Sequence, residues 1–161
     1  MDLRRLRAGE WATAVGGGAL VVALFLPWYA EGAVDPSGWE AFAVLDLILA
    51  LVGLAALALL VVTAAQGAPA VPIAMDSLVT LAGLVAVVLV LFRTANLPGD
   101  ADGREAGLWL ALAGSLAVTV GGAFAMRDER LSAAGRNVDL TGRPTPPPPE
   151  IEPIPAPRPE P

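Results

Sequence analysis

The sequence predicts an all-α membrane protein, built as an antiparallel bundle of four transmembrane helices with a disordered, proline-rich C-terminal tail. Four long apolar stretches predict the bundle, and they lie at residues 11–28, 43–65, 73–92 and 107–126. A helix needs about 20 mostly apolar residues to cross a hydrocarbon core of about 30 Å. Residues 144–161 are mostly proline and predict the tail. We therefore divide the chain into a basic N-terminus (1–10), the bundle (11–126) and the tail (127–161).

The composition lacks the side chains on which many enzymes and metalloproteins depend. The chain has no histidine and no cysteine, and its 10 basic residues are all arginine. Without cysteine and histidine, the usual zinc, copper and iron–sulfur ligand sets cannot form. Without histidine and lysine there is no ready proton carrier near neutral pH and no Schiff-base amine. We expect no catalytic residue, no cofactor, no metal and no nucleic-acid partner, and hence no enzyme.

The arginines are distributed unevenly between the two sides of the predicted bundle. If the N-terminus is cytoplasmic, the outer side carries Arg93 and Arg104, and the inner side carries Arg4, Arg5, Arg7, Arg127, Arg130, Arg136, Arg143 and Arg158. The positive-inside rule then favours a plasma-membrane protein with both termini in the cytoplasm. A cleaved signal peptide is the alternative for the first span. A retained anchor is favoured, because the apolar run is long for a signal peptide and three further spans follow.

The connecting segments predict how the spans are arranged. The inner turn at residues 66–72 is short and broken by proline, so the second and third spans should be antiparallel neighbours. The second outer loop, residues 96–103, consists of turn formers and should be ordered only by its ends. Small residues spaced four apart in the first and fourth spans predict close helix packing, with homo-oligomerisation as the alternative.

Aromatic and acidic side chains are concentrated in and around the first outer loop. They are Trp28, Tyr29, Glu31, Asp35, Trp39, Glu40 and Phe42. Amphipathic rings prefer a membrane interface, so these aromatic residues should lie at the outer headgroup level. The acids, together with Asp46, form an acidic rim that could bind a hard cation such as Ca²⁺. Their spacing matches no calcium loop, and exclusion of positive charge from outer loops is the favoured explanation.

Two carboxylates fall within the predicted spans, where an ionisable group is costly and marks a candidate site. Asp46 lies near the start of the second span and Asp76 near the start of the third. The favoured interpretation is that each one caps a helix N-terminus, where the helix dipole favours a carboxylate. An ion or proton site at Asp46 or Asp76 is the alternative.

The tail should adopt an extended polyproline II conformation, because proline-rich chains form neither helix nor sheet. Arg143, Pro146 and Pro149 fit the spacing of a docking peptide, an arginine followed by a PxxP core. Any long proline run after an arginine contains this pattern. A spacer or solubilising tail is therefore the favoured interpretation, and a specific docking peptide is the alternative.

A set of short motifs resembles a group of uncharacterised small four-span membrane proteins of actinobacteria and related GC-rich bacteria. The motifs are Leu26-Pro27-Trp28-Tyr29, Gly38-Trp39-Glu40-Ala41-Phe42, Asp46, Arg93 with Leu97-Pro98-Gly99, and Met126-Arg127-Asp128-Glu129. The resemblance covers residues 5–130 and implies the four-span topology, without implying an activity. It also implies that the first outer loop packs as an aromatic cap over the end of the bundle.

We expect a non-enzymatic interaction or structural protein of the lipid bilayer, which contacts a protein partner through its outer loop or its tail. The alternative is a small transporter or channel subunit that uses Asp46 or Asp76. A water-filled cavity that reaches either carboxylate would favour the alternative.

Overall fold

The computed structural model describes residues 8–31, 35–41, 44–65, 70–99 and 101–133, with side chains described outside 70–74 and 128–133. Several predictions lie outside the described residues. They concern residues 1–7 of the basic N-terminus, residues 66–69 of the inner turn, Phe42, and the tail beyond residue 133 with the docking peptide Arg143, Pro146 and Pro149. The remaining residues of these two predicted segments, 8–10 and 70–72, are helical, which corrects their predicted bounds.

The described part of the chain is mostly helical, with one short pair of strands. Its elements are α1 (Ala8–Ala23), β1 (Tyr29–Ala30), α2 (Gly38–Ala41), α3 (Leu45–Ala65), α4 (Ala70–Ala95), β2 (Gly103–Arg104) and α5 (Ala106–Ala133). The prediction of a largely α-helical protein is confirmed.

Within the described residues, three helices are long and apolar enough to cross a membrane: Leu45–Ala65, Met75–Ala95 and Ala106–Arg127. They correspond to the second, third and fourth predicted spans. The first predicted span, residues 11–28, is not one continuous helix. Its helix α1 has 16 residues and ends at Ala23, and the chain then passes through turns towards Pro27, which has no backbone N–H with which to continue a helix.

Helix α5 also differs from its predicted bounds. It continues to Ala133, past residue 126, where the tail was expected to begin. Residues 127–131 are Arg, Asp, Glu, Arg and Leu, and the next proline is Pro144. Most of these residues are good helix formers, so nothing in the sequence ends the helix at the membrane boundary.

The four long helices form a ring in which α5 packs between α1 and α4, and α3 packs between α1 and α4 on the opposite side. The prediction that the second and third spans are neighbours is thereby confirmed. The α1–α5 contact is the most extensive. The core is apolar, and its fully buried side chains include Leu20, Leu49, Leu59, Val90 and Leu108.

Small residues allow the backbones of α1 and α5 to approach closely. A Cβ atom at Gly16 would lie 2.7 Å from the carbonyl oxygen of Gly114, and one at Gly121 would lie 2.6 Å from the amide nitrogen of Thr13. A Cβ at Gly9 would lie 2.6 Å from the amide nitrogen of Ala125. Real Cβ atoms do not approach backbone atoms so closely, so this interface requires glycine at all three positions. Close packing of this kind is expected where lipid, rather than water, surrounds the helices.

Candidate functional site: the loop cap

The loop cap covers the bundle at the C-terminal end of α1. It consists of residues 24–31 and 35–41, from the segment between α1 and α3, and residues 96–99 and 101–107, between α4 and the first turn of α5. Six of the seven aromatic and acidic residues that the sequence singled out belong to the loop cap, and five of them are Trp28, Tyr29, Glu31, Asp35 and Trp39. Glu40 also belongs to it, whereas Phe42 lies outside the described residues.

Trp28 is the anchor of the loop cap. Its side chain is fully buried, and its indole Nε1–H donates a hydrogen bond of 2.8 Å to the carbonyl oxygen of Ala23. That oxygen belongs to the last residue of α1 and also accepts a hydrogen bond of 3.2 Å from the amide of Leu26, so the indole is a second partner for the terminal carbonyl of the helix. A Cβ at Gly38 would lie 2.9 Å from Nε1 of Trp28, and one at Gly107 would lie 2.6 Å from its Cδ1. Two glycines therefore make room for the ring.

Backbone pairing joins the two loops of the cap. In the antiparallel pair β1–β2, Tyr29 lies opposite Arg104 and Ala30 lies opposite Gly103. Further backbone hydrogen bonds run from Glu105 N to Trp28 O (2.9 Å) and from Gly107 N to Pro27 O (2.8 Å). The second loop, residues 96–103, was predicted to be ordered only by its ends, and the first loop pairs with its C-terminal end, where the amide of Asp102 donates a hydrogen bond of 2.9 Å to the carbonyl oxygen of Ala30.

The turn that leads into β2 depends on a glycine. Gly99 has a φ of +54°, in the left-handed region that glycine adopts without a steric penalty. The amide of Ala101 then donates a hydrogen bond of 3.2 Å to the carbonyl oxygen of Pro98. The guanidinium Nε of Arg104 donates a bond of 2.7 Å to the carbonyl oxygen of Thr94, near the end of α4. Arg104 therefore fastens the second loop to the end of that helix.

Tyr29 is fully buried beneath the paired loops. Its hydroxyl donates a long hydrogen bond of 3.4 Å to the carbonyl oxygen of Arg93. Burial raises the pKa of the Tyr29 phenol, and the positive charges of Arg93 and Arg104 oppose this effect. The phenol is thus held in its neutral form as a packed, hydrogen-bonding group.

The aromatic residues divide into two groups. Trp28 and Tyr29 are inside the protein, where they pack beneath the paired loops at this end of the bundle. Trp39 remains 39% exposed, and its ring lies against that of Phe25, with centroids 5.9 Å apart and planes tilted by 58°. Phe25 and Trp39, which we call the aromatic pair, form an exposed apolar contact at the edge of the loop cap.

The acidic residues of the loop cap do not converge on one point. Within the described residues, no group of three acidic side chains is arranged to hold a metal ion. Glu40 has a local structural role: its Oε2 accepts hydrogen bonds from the backbone N–H of Ser37 at 2.9 Å and from its hydroxyl at 2.8 Å. These bonds lower the pKa of Glu40 and form one half of a capping box at the start of α2. Glu31 and Asp35 are exposed.

The structure places Asp46 in the first turn of α3. The residue is 7% exposed, and its Oδ1 accepts a hydrogen bond of 2.7 Å from the amide of Leu47. The carboxylate therefore lies beside free N–H groups at the helix N-terminus, where its charge is favoured. This geometry fits the structural interpretation of Asp46.

Asp76 has a different environment. Helix α4 begins at Ala70, so Asp76 lies well inside the helix, and the prediction that it caps the N-terminus is wrong. Its side chain is 1% exposed. Next to it, the Ser77 hydroxyl lies 3.2 Å from the sulfur of Met126, so this turn of α4 packs against the C-terminal half of α5. The structure does not bring Asp46 and Asp76 together, since they lie near opposite ends of the bundle.

Sequence reasoning missed the residues that hold the loop cap together. Gly38 and Gly107 accommodate the indole, and Arg104 connects the second loop to α4. A strand of two residues has no alternation of side chains from which it could be predicted. The glycines beside Trp39 and Leu108 were a weak signal of close backbone approach.

Comparison with family models, with curated proteins and with solved structures finds no match for this chain.

Proposed function

We propose that this protein is a four-span plasma-membrane protein with cytoplasmic termini, and that it acts by non-enzymatic interaction through the loop cap on the outer side. The observation that carries this proposal is the loop cap, in which the buried Trp28 and Tyr29 belong to the same segment as the exposed aromatic pair, Glu31 and Asp35. Ordered apolar side chains with neighbouring charge suit recognition of a protein partner.

The packing of α1 supports its role as the first of the four spans. Its 16 residues extend about 24 Å, less than the hydrocarbon core of about 30 Å. Tight turns then continue the same path, with hydrogen bonds from the amides of Leu24, Phe25 and Leu26 to carbonyls three residues back. At about 2 Å per residue these turns add about 6 Å, which completes a crossing. Helix α1 also lies between two membrane-length helices, α3 and α5.

The charges support the proposed orientation. Arg93 and Arg104 lie at the loop-cap end, where Glu31, Asp35 and Glu40 also lie, whereas Arg127 lies at the opposite end of α5. A C-terminal fusion to a fluorescent protein and one to alkaline phosphatase test this orientation. Fluorescence without phosphatase activity is expected, and the reverse pattern would place the termini outside.

The interaction is tested by photo-crosslinking in intact membranes. A benzophenone amino acid replaces Trp39 in one sample and Trp109 in another. Trp109 is the matched control, because it is a 52% exposed tryptophan in the first turn of α5. A discrete protein adduct at position 39 and lipid adducts at position 109 are expected. Identical adduct patterns at both positions would contradict recognition by the aromatic pair.

A second candidate function, a transporter or channel subunit, is favoured by one observation in α4. The buried carboxylate of Asp76 is followed one helical turn later by Thr80, whose buried hydroxyl has no hydrogen-bond partner among the described residues. Polar groups on one helix face inside a membrane bundle are typical of ion or proton pathways. Ion and proton flux into proteoliposomes, lost in Asp76→Asn, would establish this function. Equal flux with and without the substitution would exclude a role for Asp76.

A further inference from the structure

A groove of about 420 Å³ runs between α1 and α5, at the end of the bundle away from the loop cap. Gly9 and Gly121 form its floor. The walls are Ala12 on α1 and Ala117, Val120 and Phe124 on α5, so every one of these side chains is apolar.

The groove exists because the helix backbones meet here without intervening side chains. A Cβ at Gly9 or at Gly121 would lie 2.6 Å from a backbone nitrogen of the other helix. The side chain of Ala12 is too short to fill the groove. Phe124 forms part of the opposite wall and is 52% exposed. An apolar groove with glycine at its floor and alanine at its wall leaves room for a hydrocarbon chain.

The length of the groove agrees with such a chain. Ala117 to Phe124 extends about 10 Å along α5, and each leaflet contributes about 15 Å of hydrocarbon. The groove would therefore contact most of one acyl chain in a single leaflet.

A cation lies at the end of the groove. Arg127 is exposed and follows Phe124 by three residues, so both project from the same face of α5. Trp11, at the same end, is 47% exposed, as expected for an indole at the headgroup boundary. Among the described side chains, the nearby acid Glu10 is buried and does not line the groove. An apolar channel that ends beside a guanidinium is complementary to a lipid with a negatively charged head.

We propose that the groove between α1 and α5 binds one anionic phospholipid, with an acyl chain over Gly9 and Gly121 and the phosphate at Arg127. This site rests on the membrane placement proposed above and is independent of the loop cap. The occupant to which the structure points is lipid; a helix of a second copy of the chain is the competing outcome.

The test uses the full chain, purified in neutral detergent, stripped of lipid and titrated with phosphatidylglycerol or with phosphatidylcholine of the same chain lengths. Native mass spectrometry counts bound lipids. We expect one tightly bound phosphatidylglycerol for each chain. Ala12→Leu should fill the groove and abolish this adduct, whereas Ala123→Leu, an exposed alanine of α5 outside the groove, should retain it. Arg127→Gln should weaken the preference for phosphatidylglycerol about fivefold, since one surface cation contributes about 1 kcal/mol towards anionic lipid.

Each other outcome overturns the proposal. Equal retention of the two lipids by the wild-type chain, or undiminished phosphatidylglycerol binding by Ala12→Leu, would show non-specific annular lipid. A dimer that Ala12→Leu dissociates, without lipid preference, would identify a second copy as the occupant. Membrane fractionation separates these results from failure of the proposed function: a chain found in the supernatant without detergent would overturn both proposals. A membrane-bound chain without lipid preference would overturn the groove proposal and leave the function proposal standing.

Discussion

Trp28 should be the residue of the loop cap whose substitution costs most stability. Its ring is fully buried, its Nε1–H bonds to the terminal carbonyl of α1, and two glycines enclose it. Trp28→Phe keeps an aromatic ring in place while removing the hydrogen bond and part of the buried volume. The substitution therefore separates the anchoring role of the indole from general hydrophobicity.

The expected magnitude follows from these two losses. A buried hydrogen bond contributes about 1 kcal/mol net, and the unfilled part of the indole site should cost about another 1 kcal/mol. Trp28→Phe should thus destabilise the fold by about 2 kcal/mol, which shifts the unfolding equilibrium about 30-fold. Trp28→Ala, which empties the whole site, should cost about 3 to 5 kcal/mol.

The assay is reversible unfolding in mixed micelles, with dodecyl sulfate as the denaturant and far-ultraviolet circular dichroism as the signal. Trp109→Phe is the matched control, because it removes an exposed tryptophan from the same end of the bundle. The control should change the free energy of unfolding by less than about 0.5 kcal/mol. Equal destabilisation by the two substitutions would refute the claim that the indole of Trp28 anchors the loop cap.

Three further predictions use the same unfolding assay. Gly16→Ala should destabilise the bundle by about 1 to 3 kcal/mol, because its Cβ would lie 2.7 Å from the carbonyl oxygen of Gly114. Gly18→Ala is the control, because the space around its Cβ is open. It should leave stability unchanged or raise it by up to about 1 kcal/mol through helix propensity. Similar losses for the two would argue against close α1–α5 packing. Burial raises the pKa of Tyr29 in the folded protein. The neutral phenol should therefore contribute fully to the free energy of unfolding below its unfolded-state pKa of about 10, and this contribution should be lost as the pH rises through the folded-state pKa. Tyr29→Phe should remove this part of the loss of stability at alkaline pH, and an unchanged loss would contradict the prediction. Asp46→Asn should lower the free energy of unfolding by less than about 1 kcal/mol, since the amide oxygen can still accept the hydrogen bond from the amide of Leu47. Ion flux into proteoliposomes that this substitution abolishes would instead identify Asp46 as an ion site.

Much of the candidate site could be named from the sequence, although its arrangement could not. Trp28, Tyr29 and Trp39 stand out because large aromatic side chains next to an apolar run prefer a boundary between apolar and polar surroundings. Their preference is the same whether that boundary is a lipid interface or the end of a folded bundle. Burial of Trp28 and Tyr29 depends on residues 103–107, which lie more than 50 residues further along the chain.

The two aspartates show a similar limit. The sequence marks both as costly inside an apolar run, and Asp46 indeed lies at a helix N-terminus. Asp76 does not lie at a helix N-terminus, because α4 begins six residues earlier, at Ala70. Val71 and Pro72 were assigned to the turn because proline usually interrupts a helix, but proline in the first turn of a helix costs no hydrogen bond, since the N–H groups there have no intrahelical partner.

By itself, the sequence determined the helical class, the approximate positions of the three membrane-length helices and the lack of histidine and cysteine chemistry. These properties follow from local composition and run length, because the backbone of an apolar segment in lipid satisfies its own hydrogen bonds as a helix. The tertiary structure decided which loops pair, which aromatic rings are buried, and where α1 and α5 leave an open groove. Those features arise from contacts between residues far apart in the chain. Such contacts depend on differences of a few tenths of an ångström in interatomic distance, which no local sequence pattern encodes.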